Sequence, residues 1–190
     1  MKQDSKRRQL EPQPSVPDPR RHLLRAVLAF VRAARSSPGV LRIALLGSLA
    51  TDKPVPKDAD VLVTIDAAMD LSSLARFGRR LKGTAQTINL GADIFLADGS
   101  DHYLGRICHY RECYARVACR ALHCGQRQHL NDDLQIVTLS PALISAPPID
   151  LWPRIVRRCA VPPDTEALLA ELENDETLRD RNHAAAHDAN

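Results

Sequence analysis

The sequence has few aromatic residues, no long apolar run and no apolar stretch behind its basic N-terminal residues. Phe, Trp and Tyr make up 4% of the 190 residues, so the basic stripe with interleaved aromatics that is typical of generic nucleic-acid binding is not expected. No stretch approaches the roughly 18 apolar residues of a membrane span, so we expect no membrane association. Because no apolar core follows the first basic residues, we expect no secretory signal and a cytoplasmic location.

Cysteine is present in an odd number, with five residues. Without an export signal, reduced thiols or a metal site are expected rather than a disulfide framework. The apolar fraction of 44% is ordinary for a globular protein. The net charge of +3 allows an anionic ligand without demanding one.

The pattern along the chain predicts three regions. Residues 1–20 are charged and proline-rich, so we predict a disordered basic arm. Residues 21–160 are predicted to form one domain, which contains a Cys/His-rich segment at 106–133. Residues 161–190 turn acidic and are predicted to be a largely disordered tail, with a short helix at 165–174.

Periodicity predicts both helices and strands within the domain. Helices are predicted where apolar residues recur at helical spacing, at 22–36, at 71–82 with Gly83 as its stop, and around 150–158. Strands are predicted where short apolar runs contain β-branched residues, at 40–46, 59–65, 84–96 (one or two strands, interrupted at Gly91), 103–110 and 134–139.

Gly47 and Ser48 directly follow the first predicted strand. A glycine lets the backbone turn sharply and approach a ligand closely. If a short helix begins here, its free N–H groups would suit an anion such as a triphosphate, and the serine hydroxyl adds a donor. An ordinary strand-to-helix turn explains the same two residues.

Three aspartates are placed for metal chemistry. Asp58 and Asp60 are two apart at the mouth of a predicted strand, so both leave the same face. Adjacent carboxylates repel unless a cation compensates them, and Mg²⁺ commonly shares carboxylates with a substrate phosphate. Asp93 is a lone acid in an apolar strand, where burial without a partner is costly. If the two strands pair, three carboxylates converge; otherwise the aspartate pair is a polar strand start facing water.

Together, the apolar strand with Gly47-Ser48, the Asp58-Ala59-Asp60 repeat and the distant Asp93 resemble the DNA polymerase β-like nucleotidyltransferase superfamily, in particular its minimal, stand-alone members. The resemblance spans residues 40–97. It implies an α+β fold with a mixed β-sheet flanked by helices. It also implies transfer of a nucleoside monophosphate from an NTP, expected to be ATP, to a hydroxyl with release of pyrophosphate.

The resemblance assigns a role to each motif residue. Gly47 and Ser48 match the phosphate-binding pair, Asp58 and Asp60 match the carboxylates that hold two Mg²⁺ ions, and Asp93 matches the ligand of the metal at the acceptor hydroxyl. Lys57 stands where the family often has a serine, and it could reach a phosphate as a point charge. The acceptor is expected to be a small molecule, a protein or an RNA.

The family also supports a binding function. Its small members often serve in toxin–antitoxin pairs, where they neutralise a partner by binding or adenylylating it. The first alternative is therefore an antitoxin-like or catalytically weak protein that binds a toxin-type partner. The basic arm and the acidic tail could serve such docking.

The Cys/His-rich segment provides the second alternative. A zinc ion could be held by one histidine and three cysteines, His109, Cys113, Cys119 and Cys124, although their spacing is longer than in structural zinc knuckles. The same cysteines could instead be small buried apolar residues. The arginines of this segment, from Arg106 to Arg127, form either a phosphate approach or a solvated basic face. This alternative is a zinc-binding module that contacts nucleic acid.

Overall fold

The computed structural model describes residues 18–107 and 137–187. Within them, four α-helices flank a six-stranded mixed sheet, which confirms the predicted α+β class. The helices are α1 (Pro19–Ala34), α2 (Ser72–Gln86), α3 (Pro141–Ser145) and α4 (Pro163–His187). The strands are β1 (Val40–Leu46), β2 (Asp58–Ile65), β3 (Gly91–Asp98), β4 (Tyr103–Ile107), β5 (Ile149–Trp152) and β6 (Val156–Arg157). Among these helices, none is long and apolar enough to cross a membrane.

The strands are ordered β4-β3-β2-β1-β5-β6 across the sheet. Strands β2 and β3 run parallel, and every other neighbouring pair is antiparallel. A parallel pair needs a crossover connection, and α2 supplies it. The central position of β2 fits its sequence. Apolar residues point to both of its faces, so the strand can be buried on both sides of the sheet.

The two faces of the sheet are covered differently. On one face, Val61 and Val63 of β2 point into the larger core, which α1, α2 and α4 close with residues such as Val27 and Leu172. On the opposite face lies a smaller apolar cluster, to which α3 contributes Ile144. Its other buried members are Ala44, Leu46, Leu62, Phe95 and Ala97. The aspartates of interest share this second face because they alternate with the core-facing residues.

Helix α1 begins earlier than predicted, inside the region predicted to be the arm. Pro19 is its first residue and Asp18 is its N-cap, whose side chain accepts a hydrogen bond from the Arg20 amide. Proline is well suited to the first helical turn because its missing N–H is not needed there. The prediction of disorder from the proline content was therefore wrong for Pro19 and Arg20, which belong to α1. The rest of the predicted arm, residues 1–17, lies outside the described residues.

Helix α2 was predicted to stop at Gly83, but it continues through this residue to Gln86. Its end is marked by Asn89, which has a φ of 60°, the left-handed conformation that often follows a helix. The segment predicted as strand from residue 84 is consequently helical at first, and β3 begins only at Gly91.

The C-terminal third differs most from the predictions. Around residues 150–158, β5 and β6 replace the predicted helix, because Ile149 and Leu151 face the larger core while Asp150 faces the other side. Residues 137–139 of the predicted strand at 134–139 are not in a strand, and the others lie outside the described residues. Helix α4 covers most of the predicted disordered tail, anchored by Leu168, Leu169 and Leu172.

Candidate functional site

Three carboxylates lie together on the sheet face opposite α1, α2 and α4. Asp58 and Asp60 leave β2 on the same side, and Asp93 of β3 is the register partner of Asp60. Neighbouring strands are about 4.8 Å apart. Asp60 is therefore the direct neighbour of both other carboxylates, along its own strand and across the sheet.

The protein compensates these charges incompletely. Burial, together with the negative charges of Asp93 and Asp58, raises the pKa of Asp60 to about 6, against the lowering effect of the Arg106 charge. Desolvation of its carboxylate and the charge of Asp93 raise the pKa of Asp58 as well. Repulsion of this kind is the condition under which a carboxylate cluster attracts a cation.

Two glycines make room for two of the carboxylates. A Cβ at Gly47 would overlap Oδ2 of Asp60, and a Cβ at Gly91 would overlap Oδ1 of Asp58. Gly47 also has a φ of +63°, which side chains rarely adopt. The backbone thus approaches the acids more closely than any other residue type would allow. The sequence predicted Gly91 only as an interruption of a strand, and not as a residue that makes room for Asp58.

Asp93 has a cationic partner. Arg106 of β4 donates from Nη1 to Oδ2 of Asp93 at 2.9 Å. In residues 18–107 and 137–187, no three His, Cys, Asp or Glu side chains are arranged as a group that could hold a metal ion. The donors fit Mg²⁺ in type, since all are carboxylate oxygens. Ligation by all three aspartates would require Asp93 to exchange its bond to Arg106.

The Gly47-Ser48 turn lies directly beside the carboxylates. Leu46, the last residue of β1, is the register partner of Asp60, and a four-residue 3₁₀ turn (Gly47–Ala50) follows at once. The carbonyl oxygen of Ser48 accepts hydrogen bonds from Oγ1 of Thr51 at 3.1 Å and from Nη1 of Arg20 at 3.1 Å. Of the predicted phosphate-binding pair, Ser48 is therefore held through its carbonyl oxygen by the side chains of Arg20 and Thr51.

Lysines surround the outer end of the site. Lys57 directly precedes Asp58, and its carbonyl accepts a hydrogen bond from the Gly91 amide at 2.9 Å. The charges of Lys57, Lys53 and Lys82 each lower the pKa of Asp58 and so oppose its upward shift. The predicted role of Lys57 as a point charge is compatible with this position, next to the exposed edge of the carboxylates.

The predicted zinc ligands are not part of the described structure. His109, Cys113, Cys119 and Cys124 all lie between residues 108 and 136, outside the described residues. Arg106 and Ile107, at the start of the predicted segment at 106–133, belong to β4. Arg106 is thus placed against Asp93, whereas the sequence indicated a phosphate approach or a solvated face.

The sequence predicted neither the contact of Arg106 with Asp93 nor any role for Arg20 in the site. Arg106 follows the motif on the next strand, and only the antiparallel pairing of β3 with β4 brings it beside Asp93. Arg20 lies 28 residues before Ser48, in the region predicted to be an arm. The one local signal for Arg20 was the helix start formed by Asp18 and Pro19.

Comparison with known proteins identifies no relative that shares this geometry. The chain matches no family model, no curated protein and no solved structure.

Proposed function

We propose that the chain is a metal-dependent nucleotidyltransferase that moves a nucleoside monophosphate from an NTP to a hydroxyl acceptor. The observation that carries the proposal is the pairing of Asp60 with Asp93 in the parallel register of β2 and β3, with Asp58 on the same face. The Gly47-Ser48 turn beside Asp60 supports it. These are the positions at which the resemblance to polymerase β-like proteins expects its motif residues.

Each residue has a distinct role in this proposal. Asp58 and Asp60 would hold two Mg²⁺ ions, and Asp93 would hold the one nearest the acceptor. The bound ions would supply charge neutralisation at the phosphates and a lower pKa for the acceptor hydroxyl. Gly47 and Ser48 would take the triphosphate, and Lys57 would add a positive charge at the exposed end.

The reaction balances as a displacement at the α-phosphorus. The acceptor oxygen forms a new bond to the α-phosphorus, and the bond to the bridging oxygen of pyrophosphate breaks. Pyrophosphate leaves with the electron pair of that bond. The acceptor hydroxyl gives up its proton to Asp93 or to water as the new bond forms.

The energetics of Asp60 argue for a functional rather than a structural role. Its carboxylate is half-buried among two other acids and against the Gly47 backbone, and its pKa of about 6 shows that the fold disfavours its charge. Groups that cost stability in the free protein are a common feature of sites built for a ligand. A cation bound here would remove the cost.

The test is incubation of the purified chain with each labelled NTP and Mg²⁺, followed by measurement of pyrophosphate release and of label on protein or RNA. We expect the Asp60→Asn variant to lose at least about 100-fold in rate, as expected when a group that stabilises the transition state is removed. The matched control is Asp52→Asn, which makes the same charge change at an exposed position in the loop between the Gly47–Ala50 turn and β2. Full turnover in Asp60→Asn would refute the proposed mechanism.

A second candidate is supported by the ion pair between Arg106 and Asp93. This bond occupies the third carboxylate and would suit a nucleotidyltransferase-like protein that binds a toxin-type partner without turnover. The Arg106→Gln variant separates the two functions, because it releases Asp93. Transfer that persists or rises in this variant favours the enzyme. Binding of Mg-NTP without transfer in either form, together with co-purification with the product of a neighbouring gene, favours the binding protein.

A further inference from the structure

A buried arginine connects two helices to the turn beside the carboxylates. Arg20 of α1 is only 8% exposed. Its guanidinium donates from Nη1 to the carbonyl of Ser48 at 3.1 Å and to that of Lys53 at 2.8 Å, and from Nη2 to that of Leu49 at 3.3 Å. One side chain thus holds both ends of the segment from Ser48 to Lys53.

The same guanidinium is fixed from the opposite side by α4. Nε of Arg20 donates to Oδ2 of Asp164 at 2.6 Å, and Nη2 donates to Oδ1 at 3.1 Å, so the pair is bidentate. Oγ1 of Thr165 accepts from Nη2 and donates to the carbonyl of Leu49. The ion pair with Arg20 lowers the pKa of Asp164. Bidentate pairs restrict the orientation of the guanidinium as well as adding energy.

The segment that Arg20 holds directly follows Gly47, the residue that limits the space around Asp60. Gly47 leaves no room for a Cβ beside the Asp60 carboxylate, so a small shift of the turn would change the cavity in which that carboxylate and any ligand must fit. The guanidinium of Arg20 contacts three carbonyls of the turn and its following loop, and none of its hydrogen bonds or ion pairs reaches Asp58, Asp60 or Asp93. Its effect on the site would therefore pass through the backbone.

We propose that Arg20 is a positioning residue that holds the backbone of the Gly47–Ala50 turn in the arrangement required to bind Mg-NTP, an inference that rests on the proposed function. A lysine at this position would keep the positive charge but lose the fork that contacts Asp164 and the carbonyls together. The substitution Arg20→Lys therefore tests geometry rather than charge.

The chain contains a matched control on the same helix. Arg32 of α1 also pairs with an acid of α4, donating from Nε to Asp175 at 2.7 Å and from Nη2 at 3.1 Å. Arg32 lies at the other end of α1, and its hydrogen bonds and ion pairs go to Asp175 and Glu171 of α4. Arg32→Lys thus perturbs the attachment of α4 to α1 without touching the Gly47–Ala50 turn or the loop after it.

The experiment measures the Kd of Mg-ATP, the transfer rate at saturating ATP, and hydrogen exchange of the amides at 48–53 in the full chain. For Arg20→Lys we expect the Kd to rise about tenfold, which is the size of one or two lost charge-assisted hydrogen bonds. The rate at saturation should change by less than about threefold, since the carboxylates remain in place. Exchange at 48–53 should accelerate in this variant and not in Arg32→Lys.

Asp164→Asn provides a milder variant in case Arg20→Lys does not fold, because it keeps the carbonyl contacts and removes only the ion pair. An unchanged Kd in Arg20→Lys or, failing that, in Asp164→Asn would overturn the inference, as would equal weakening in Arg32→Lys. If the wild-type chain itself binds no Mg-ATP, the proposed function fails. In that case, faster exchange at 48–53 confined to the Arg20 variant would support the positioning role alone, and unchanged exchange would overturn it.

Discussion

The Asp60 side chain links the stability of the protein to pH. In the unfolded chain an aspartate has a pKa of about 3.9, and in the folded chain Asp60 has a pKa of about 6. Between these values the folded state binds more protons than the unfolded state. The free energy of unfolding therefore falls as the pH rises through this window, and it stays low above it.

We predict that Asp60→Asn raises the free energy of unfolding by about 1–3 kcal/mol at pH 8, and that the gain disappears below about pH 4. The reason is that asparagine carries no charge at any of these pH values. Urea unfolding from pH 4 to pH 8 without divalent metal measures the effect. The control Asp52→Asn should show no such pH dependence, and a less stable Asp60→Asn at pH 8 would contradict the prediction.

Gly91 allows a second test of how a single residue shapes the candidate site. Its Cβ would meet only the carboxylate of Asp58, an exposed side chain that can move aside. We predict that Gly91→Ala changes the free energy of unfolding by less than about 1.5 kcal/mol while weakening Mg²⁺ or Mn²⁺ binding about tenfold. Isothermal titration with Mn²⁺ and urea unfolding measure the two effects.

The control for Gly91→Ala is Gly99→Ala. At Gly99 an added Cβ would be 3.5 Å from Leu41, an ordinary contact away from the carboxylates. This variant should bind metal like the wild type. Equal metal affinity in Gly91→Ala and wild type would show that the Asp58 carboxylate does not need the space that Gly91 leaves.

Among the strands, β1 and β2 were predicted more accurately than the short strand β5. Strand β1 has the limits predicted from its apolar run, and β2 begins one residue earlier than predicted. Both are central and buried on two faces, so their composition is distinctive. Strand β5 was predicted as part of a helix because it has only four residues and prolines on both sides.

We expect helix α4 to depend on its apolar packing more than on its exposed ion pair with Arg32. Leu172 is fully buried in the larger core, whereas Arg32 is exposed where it pairs with Asp175. We predict that Leu172→Ala lowers the free energy of unfolding by about 2–4 kcal/mol, because it leaves a cavity. Arg32→Ala should cost less than about 1 kcal/mol, as expected for an exposed ion pair.

Chemical denaturation of the two α4 variants, monitored by circular dichroism, measures this difference. The control is Glu171→Ala, which removes a more distant partner of Arg32, 3.6 Å away. If Arg32→Ala destabilises the protein as much as Leu172→Ala, the attachment of α4 is electrostatic rather than apolar. That result would also change how the Arg20 and Arg32 variants are compared.

At the scale of the whole molecule, the candidate site depends on contacts between distant parts of the sequence. The motif residues at 47–60 could be found by their order, but the approach of Asp93 depends on the crossover through α2. Arg20 contacts residues 28 to 145 positions away. No local pattern encodes such distances, so the sequence predicted the acids and Lys57 but neither the contact of Arg106 with Asp93 nor that of Arg20 with the turn.

The whole fold should respond to ligand binding at the carboxylates. A ligand that binds only the folded state stabilises it by about 2.7 kcal/mol at 100 times its Kd. For a chain of this size, 1 kcal/mol corresponds to about 2–4 °C in Tm. We therefore predict that saturating Mg-ATP raises the Tm by about 5–10 °C, and that removing divalent metal with EDTA abolishes the shift.

Comparison of variants shows where the ligand binds. Asp60→Asn should show a higher Tm than the wild type without ligand at pH 8, because a buried charge is removed, and little further rise with Mg-ATP, because a metal ligand is lost. Asp52→Asn should behave like the wild type in both respects. Relative to the wild type, Asp60→Asn should thus have a higher Tm without ligand and a smaller rise with Mg-ATP, and a general loss of folding cannot produce both. If Mg-ATP raises the Tm of Asp60→Asn as much as that of the wild type, the nucleotide binds away from the three aspartates.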